Sequence, residues 1–281
     1  MVHGLFLIIL PVVLFAQSKT PDWVSVDSNI QYSAHKETLV DVYRSKRAAA
    51  STRRVGVLVI HGGGWVGGKK ENVFDRLCLP YLEKGFVVAN VEYRLAGSAL
   101  APAAVEDVLQ AAKWFRDNAG KYGVDKKKII VTGDSAGGHL ALMVGLTPKK
   151  AKFGPVAKIA AVVNFYGITD VQDQLEGDNM RTYATTWLPA SLPDRQELAR
   201  KLSPVTWALR KNHPPVFTIH GDADPTVPYE HGVDITKELR NAGSDAEMIP
   251  IHQGGHGNFT PEQFADIYAN IFSFLAKRKI L

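Results

Sequence analysis

Ser135 lies in Gly133-Asp134-Ser135-Ala136-Gly137-Gly138, directly after the apolar run Ile129-Ile130-Val131. Small residues on both sides of one serine let a strand turn sharply into a helix and leave the hydroxyl exposed. A bulkier residue at Gly133 or Gly137 is expected to clash with the neighbouring strand or helix. A serine hydroxyl is a poor nucleophile at neutral pH. It needs a base within hydrogen-bond reach, and that base needs an acid to orient it. Both follow along the chain. Asp222 and Asp224 come just past the apolar run Val216-Phe217-Thr218-Ile219-His220, and His256 comes in Gly254-Gly255-His256-Gly257. An imidazole suits base work because its unperturbed pKa is about 6.5. Asp224 is the preferred acid, because it lies farther past the strand end and its carboxylate can reach across to the histidine loop. Asp222 is the second candidate and better suited to bracing the turn.

A fourth segment, His61-Gly62-Gly63-Gly64-Trp65, directly follows the apolar run Val55 to Ile60. Three glycines let backbone N–H groups converge on one point with no Cβ in the way. The N–H groups of Gly63 and Gly64, together with that of Ala136 after the serine, would form an oxyanion hole. Other histidines suit other tasks. His61 is expected to brace its loop, His139 to pack against the sheet, and His220 to be structural. His252 is the rival to His256, but it lacks the paired glycines, and His231 carries no signal. No His/Asp/Glu cluster has metal-ligand spacing. No dinucleotide- or phosphate-binding glycine loop is present, so neither metal nor cofactor is expected. The single Cys78, in Leu77-Cys78-Leu79, reads as a buried helix residue.

These residues need elements to hold them. Residues 38–43 alternate like an antiparallel strand, and 55–60 form an almost continuous apolar run, as in a strand covered on both faces. Further strands are read at 86–91, 128–132, 159–165, 216–220 and 246–251. Helical spacing covers Asn72 to Lys84, Val105 to Asn118, the segment opened by Ser135, Tyr229 to Asn241, and Pro261 to Lys277 with Thr260 as N-cap. Such alternation predicts an α/β fold with a mostly parallel sheet of about eight strands and helices on both faces. Ligands then bind beyond the carboxyl ends of the strands, where every segment above falls. Residues 166–214, rich in Pro and Trp, break the alternation and read as a short cap-like insertion.

The chain has 281 residues, 46% hydrophobic and 22% charged, which suits one large domain over residues 17–281. The net charge of +5 is scattered in short lysine clusters without interleaved aromatics, so no nucleic acid is expected as a partner. The unbroken apolar run Leu5 to Ala16 is too short to span a bilayer comfortably. It reads as a signal peptide over residues 1–16, which implies a secreted or periplasmic protein with no stable membrane insertion after cleavage. No Lys or Arg precedes the run, and a retained N-terminal anchor is the alternative. Composition and spacing leave the oligomeric state open.

Taken in order, His61 to Trp65, Val91-Glu92-Tyr93-Arg94-Leu95, Gly133 to Gly138, His220 to Asp224 and Gly255-His256-Gly257 resemble the α/β-hydrolase fold. Within it, they resemble the esterase/lipase branch of hormone-sensitive-lipase-like and carboxylesterase/feruloyl-esterase-like enzymes. The resemblance implies that Ser135 attacks an ester carbonyl and forms an acyl-enzyme, that His256 shuttles the proton, and that Asp224 orients His256. It implies a substrate carrying a short-chain or polysaccharide-linked acetyl or feruloyl ester. Trp65, Tyr93, Tyr166 and Trp187 are candidates for the pocket walls. A kynurenine-formamidase-like amide hydrolase shares the His-Gly-Gly-x-Trp pattern and is an alternative, as is a lipase. A non-catalytic binding protein on the same fold is the alternative of another class.

Overall fold

The structure is a computed structural model that describes residues 20–47 and 54–281. The expected leader lies outside the described residues. Eight strands form one sheet: β1 (Val24–Gln31), β2 (Leu39–Ser45), β3 (Arg54–Ile60), β4 (Val87–Val91), β5 (Val124–Asp134), β6 (Ala161–Phe165), β7 (Val216–Gly221) and β8 (Ala246–Ile251). Their order is β1-β2-β4-β3-β5-β6-β7-β8. The pairs β1/β2 and β2/β4 are antiparallel, and all later neighbours are parallel. The sequence reading lacked β1. Its sequence VSVDSNIQ is mostly polar and its faces alternate in burial, because it is an edge strand with one face in water. By contrast β4 and β6 are buried at every residue, as expected of strands covered on both sides.

The helices are α1 (Leu79–Glu83), α2 (Ala103–Asp117), α3 (Ala136–Leu146), α4 (Thr182–Trp187), α5 (Arg195–Leu202), α6 (Pro204–Ala208), α7 (Glu230–Asn241) and α8 (Pro261–Lys277). α1 and α8 pack on one face of the sheet, around Leu77, Tyr81, Phe217 and Ile271. α2, α3, α7 and the helices of the insertion cover the other, around Leu58, Val131, Leu140 and Leu239. α8 starts as the sequence predicts. The Thr260 side chain accepts from the Gln263 N–H, the Gln263 side chain accepts from the Thr260 N–H, and Pro261 opens the helix.

The helix expected over 72–84 is irregular. A 3-10 turn over Lys70–Val73 leads into a wide turn over Phe74–Cys78 before α1 begins. Pro80 has no N–H to offer the Arg76 carbonyl. The Tyr268 hydroxyl of α8 donates to that carbonyl instead. Cys78 is buried within this segment. The insertion is held as three short helices, α4 to α6, over the carboxyl end of the sheet. Among the described residues no helix is long and apolar enough to cross a membrane.

Candidate active site

β5 ends at Asp134, and α3 begins at Ala136. Ser135 lies between them at φ 55° and ψ −122°. This strained backbone is what carries its hydroxyl clear of the sheet. The space that permits the turn is narrow. A Cβ on Gly137 would lie 2.1 Å from the Ile60 carbonyl oxygen of β3, and one on Gly133 would lie 2.4 Å from the Gly137 oxygen. The expected clash with strand and helix is therefore real at both positions.

The structure brings the three candidate groups together across long sequence separations. His256 Nε2 lies 2.8 Å from Ser135 Oγ, and His256 Nδ1 lies 2.8 Å from Asp224 Oδ2. The Asp224 side chain is fully buried. Burial pushes its carboxyl up. The hydrogen bonds from His220 and His256, joined by the Val227 N–H, outweigh that and hold it well below the usual carboxylate range. An ionised Asp224 can only accept, so Nδ1 carries the proton. Nε2 is then left bare toward the serine hydroxyl. Asp222 does something else. It accepts from the Gln253 N–H at 2.7 Å and pairs with His252 at 3.0 Å, bracing the loop that carries His256.

The His61–Gly64 loop is tied to the turn at Ser135. Gly62 N–H donates to Asp134 Oδ1 at 2.9 Å. Gly63 (φ +115°) and Gly64 (φ +60°) hold backbone shapes closed to most side chains. Both the Val66 and Gly67 N–H groups donate to the Gly63 carbonyl and tighten the turn. Among the described residues, the N–H groups of Gly63, Gly64 and Ala136 donate to no protein acceptor.

Residues 40–239, well over half of the chain, match the BD-FAE family. The chain belongs to this family. It is 29% identical over 241 residues to an esterase of Mycobacterium tuberculosis, LipQ, covering 80% of this chain and 56% of that protein. It is 28% identical over 251 residues to an ethyl acetate hydrolase of Pseudomonas putida, covering 85% and 76%. A solved carbohydrate esterase from gut microbiota, in truncated form, superposes with a TM-score of 0.79 at 26% identity, covering 92% of this chain and 98% of that one. The fold is the α/β-hydrolase fold. The chain spans 56% to 62% of the length of the first three curated relatives it matches.

In this BD-FAE chain three of the four aromatic candidates for pocket walls, Trp65, Trp187 and Tyr166, need correction. Trp65 and Trp187 are each 0% exposed and stack on one another with ring centroids 4.2 Å apart. A side chain with no exposed surface offers none to a ligand, so their part is packing beneath the glycine loop. Tyr166 is also buried, and its ring packs 4.8 Å from that of His256. It supports the histidine from behind. Tyr93 stacks on His61 and donates to its carbonyl, while bordering a cleft on the far side of the loop. His139 does more than expected. It accepts from Trp65 Nε1 at 3.1 Å and donates to the Leu202 carbonyl of α5 at 2.8 Å, ties to the glycine loop and the insertion that the expected packing against the sheet did not include.

Several residues escaped the sequence reading. His220 Nε2 lies 3.0 Å from the Val227 carbonyl and 3.4 Å from Asp224 Oδ2, so two imidazoles flank one acid. The four-residue spacing across a turn was the available signal. Arg76 pairs with Asp134, the residue before the serine. Arg181 of the insertion donates to the carbonyls of Thr226 and Pro225, clamping the loop that carries Asp224. Buried His231 of α7 pairs with Asp173 at 3.0 Å and accepts from the Thr169 N–H, pinning the start of the insertion. Nothing in the local sequence pairs Arg76, Arg181 or His231 with its partner, because each of these contacts joins segments far apart in the chain. Among the described residues no group of three His, Cys, Asp or Glu could hold a metal.

Proposed function

We propose that this chain is a serine carboxylic-ester hydrolase working through an acyl-enzyme. The observation that carries the reading is the run of contacts from Ser135 Oγ through the His256 ring to Asp224, each 2.8 Å long. Ser135 Oγ attacks the ester carbonyl, and its proton passes to His256 Nε2. Negative charge grows on the carbonyl oxygen and is met by the N–H groups of Gly63, Gly64 and Ala136. Such donors typically supply about 3 kcal/mol each. The tetrahedral adduct collapses, and His256 gives its proton to the departing alkoxide. Water then enters, loses a proton to His256 and releases the acid, restoring the Ser135 hydroxyl. Buried, ionised Asp224 stabilises the transient imidazolium throughout.

The substrate is a short-chain ester or an acetyl or feruloyl group carried on a polysaccharide. Likeness to a carbohydrate esterase and to an ethyl acetate hydrolase supports that choice. The apolar run Leu5 to Ala16 supports export from the cell, where plant polysaccharide would be met. Hydrolysis of acetylated xylan, feruloyl esters and 4-nitrophenyl acetate, measured side by side, tests the reading. Turnover of all short-chain esters with a preference for the glycan-borne ones is expected. Activity on 4-nitrophenyl acetate alone would remove the polysaccharide, and no ester turnover would remove the whole reading.

A further inference from the structure

Lysines that are scattered along the sequence meet at one end of the fold. β3 to β8 run parallel, so all of them begin at the end of the sheet opposite Ser135. Lys126 and Lys127 lie near the start of β5, and Lys158 lies just before β6. Arg116, at the end of α2, draws these two segments together. It donates to the carbonyls of Lys126 at 2.7 Å and Lys158 at 3.1 Å. Lys277 and Lys279 lie at the end of α8. Arg278 between them binds the Asp245 carboxylate, and the Asp245 carbonyl accepts from the Val216 N–H at the start of β7. These five lysines are exposed, and among the described residues none is paired with a carboxylate. Nearby Asp117 and Asp245 are already held by Lys113 and Arg278, and Asp125 accepts from the Lys127 N–H. Two large apolar side chains stand in water close by in the chain. Val156 is 49% exposed two residues before Lys158, and Leu209 is 65% exposed directly before Arg210 and Lys211 on the segment leading to β7. The described chain also starts at this end. β1 begins here at Val24, and the Trp23 carbonyl accepts from the Lys46 N–H just past β2.

We propose that this end of the molecule docks on an anionic phospholipid surface and leaves Ser135 facing away from the lipid. The contact goes beyond the ester chemistry and does not depend on it. A cation is drawn to an anionic lipid surface only within about one Debye length, roughly 10 Å at 0.1 M salt. Lysines gathered on one end meet that condition together, which lysines spread around the molecule cannot. The apolar pair favours lipid as the partner. Val156 and Leu209 gain by entering the boundary between headgroups and acyl chains, as apolar side chains flanked by cations do at interfaces. An acidic polysaccharide or a nucleic acid offers the lysines the same charge but gives those two side chains no hydrocarbon. The run Leu5 to Ala16 precedes the described residues, which join it from this end. Wherever that run is held in a bilayer, the lysines face the same headgroups. The contact is peripheral: among the described residues no helix is long and apolar enough to cross a membrane.

The test is co-sedimentation of the full chain with vesicles of phosphatidylcholine alone and with vesicles that also contain about 30% phosphatidylglycerol, which supplies the negative charge. Partitioning onto the anionic vesicles should be stronger by about tenfold or more at about 0.05 M NaCl, and the difference should vanish at about 0.5 M. Lys127→Glu/Lys158→Glu should remove most of that difference. Leu209→Ser should weaken binding to the anionic vesicles by about threefold or more. Lys36→Glu/Lys69→Glu changes the net charge equally at the Ser135 end and should leave binding within about twofold of the unaltered protein. A thermal melt checks that each variant is folded. Equal partitioning onto both kinds of vesicle at low salt would overturn the proposal. So would equal losses in the two double variants, or binding to soluble polygalacturonate with none to the anionic vesicles.

Discussion

Two neighbouring carboxylates have been given different tasks, and substitution separates them. Asp224 is buried against His256 and His220, whereas Asp222 holds the exposed edge of the histidine loop. Asp224→Asn keeps the shape but offers an amide where an ionised acceptor is needed, and the imidazole loses both its fixed tautomer and its counter-charge. A fall in kcat of about 10⁴-fold is expected, with KM little changed. Asp222→Asn should cost less than tenfold, since the Gln253 N–H can still find an oxygen. Steady-state kinetics on 4-nitrophenyl acetate distinguish the two. Reach past the strand end favoured Asp224 in the sequence, and Asp224 is the acid that lies 2.8 Å from His256 Nδ1. The four-residue spacing from His220 to Asp224 was the one hint of a second partner, and its meaning depends on how the turn folds back.

The strands and most of the helices were legible because their apolar spacing follows from which faces the sheet covers. The edge strand β1 was not, since half-solvated polar residues carry little pattern. The segment before α1 was read as a plain helix, and its widening depends on a partner from α8. Tyr268 donates to the carbonyl that Pro80 cannot serve. Tyr268→Phe removes that donor from a part-buried hydrogen bond, which should destabilise the fold by about 1 kcal/mol. Urea denaturation measures this directly. At the turn holding Ser135, Gly137→Ala forces a methyl to within 2.1 Å of the Ile60 oxygen. Since α3 and β3 cannot both stay in place, the variant should lose nearly all ester turnover and melt at a clearly lower temperature. An unaltered melting curve with full activity would contradict the packing described.

At the scale of the whole molecule, the insertion is a fixed part of the site. Tyr183 of α4 packs on Gly64, Arg181 holds the Asp224 loop, and His231 ties the insertion to α7. His139 joins three pieces at once: the serine helix α3 that carries it, the glycine loop through Trp65, and α5 through Leu202. Burial pushes its pKa down to about 4, with the Leu202 carbonyl offsetting part of the shift. In the unfolded chain the same group takes a proton near the ordinary value of about 6.5. The unfolded state therefore binds more protons between those values. The stabilisation is complete above the ordinary value and is lost as pH falls toward 4. Between pH 7.5 and 5 the loss from this group is about 2 kcal/mol. His139→Gln can keep both hydrogen bonds without titrating. Its stability should fall by about 2 kcal/mol less than that of the unaltered protein over the same interval, as read from urea midpoints. The sequence could not disclose this link, because 166–214 carries no period that says what it covers.

The central claim is that the hydroxyl of Ser135 becomes covalently acylated with His256 as its base. Labelling with a reactive fluorophosphonate, followed by peptide mass spectrometry, tests it most directly. One phosphonyl group should appear on the peptide containing Ser135, be absent from Ser135→Ala, and form at least 100-fold more slowly in His256→Ala. A label on another residue, or ester turnover that survives in Ser135→Ala, would contradict the account.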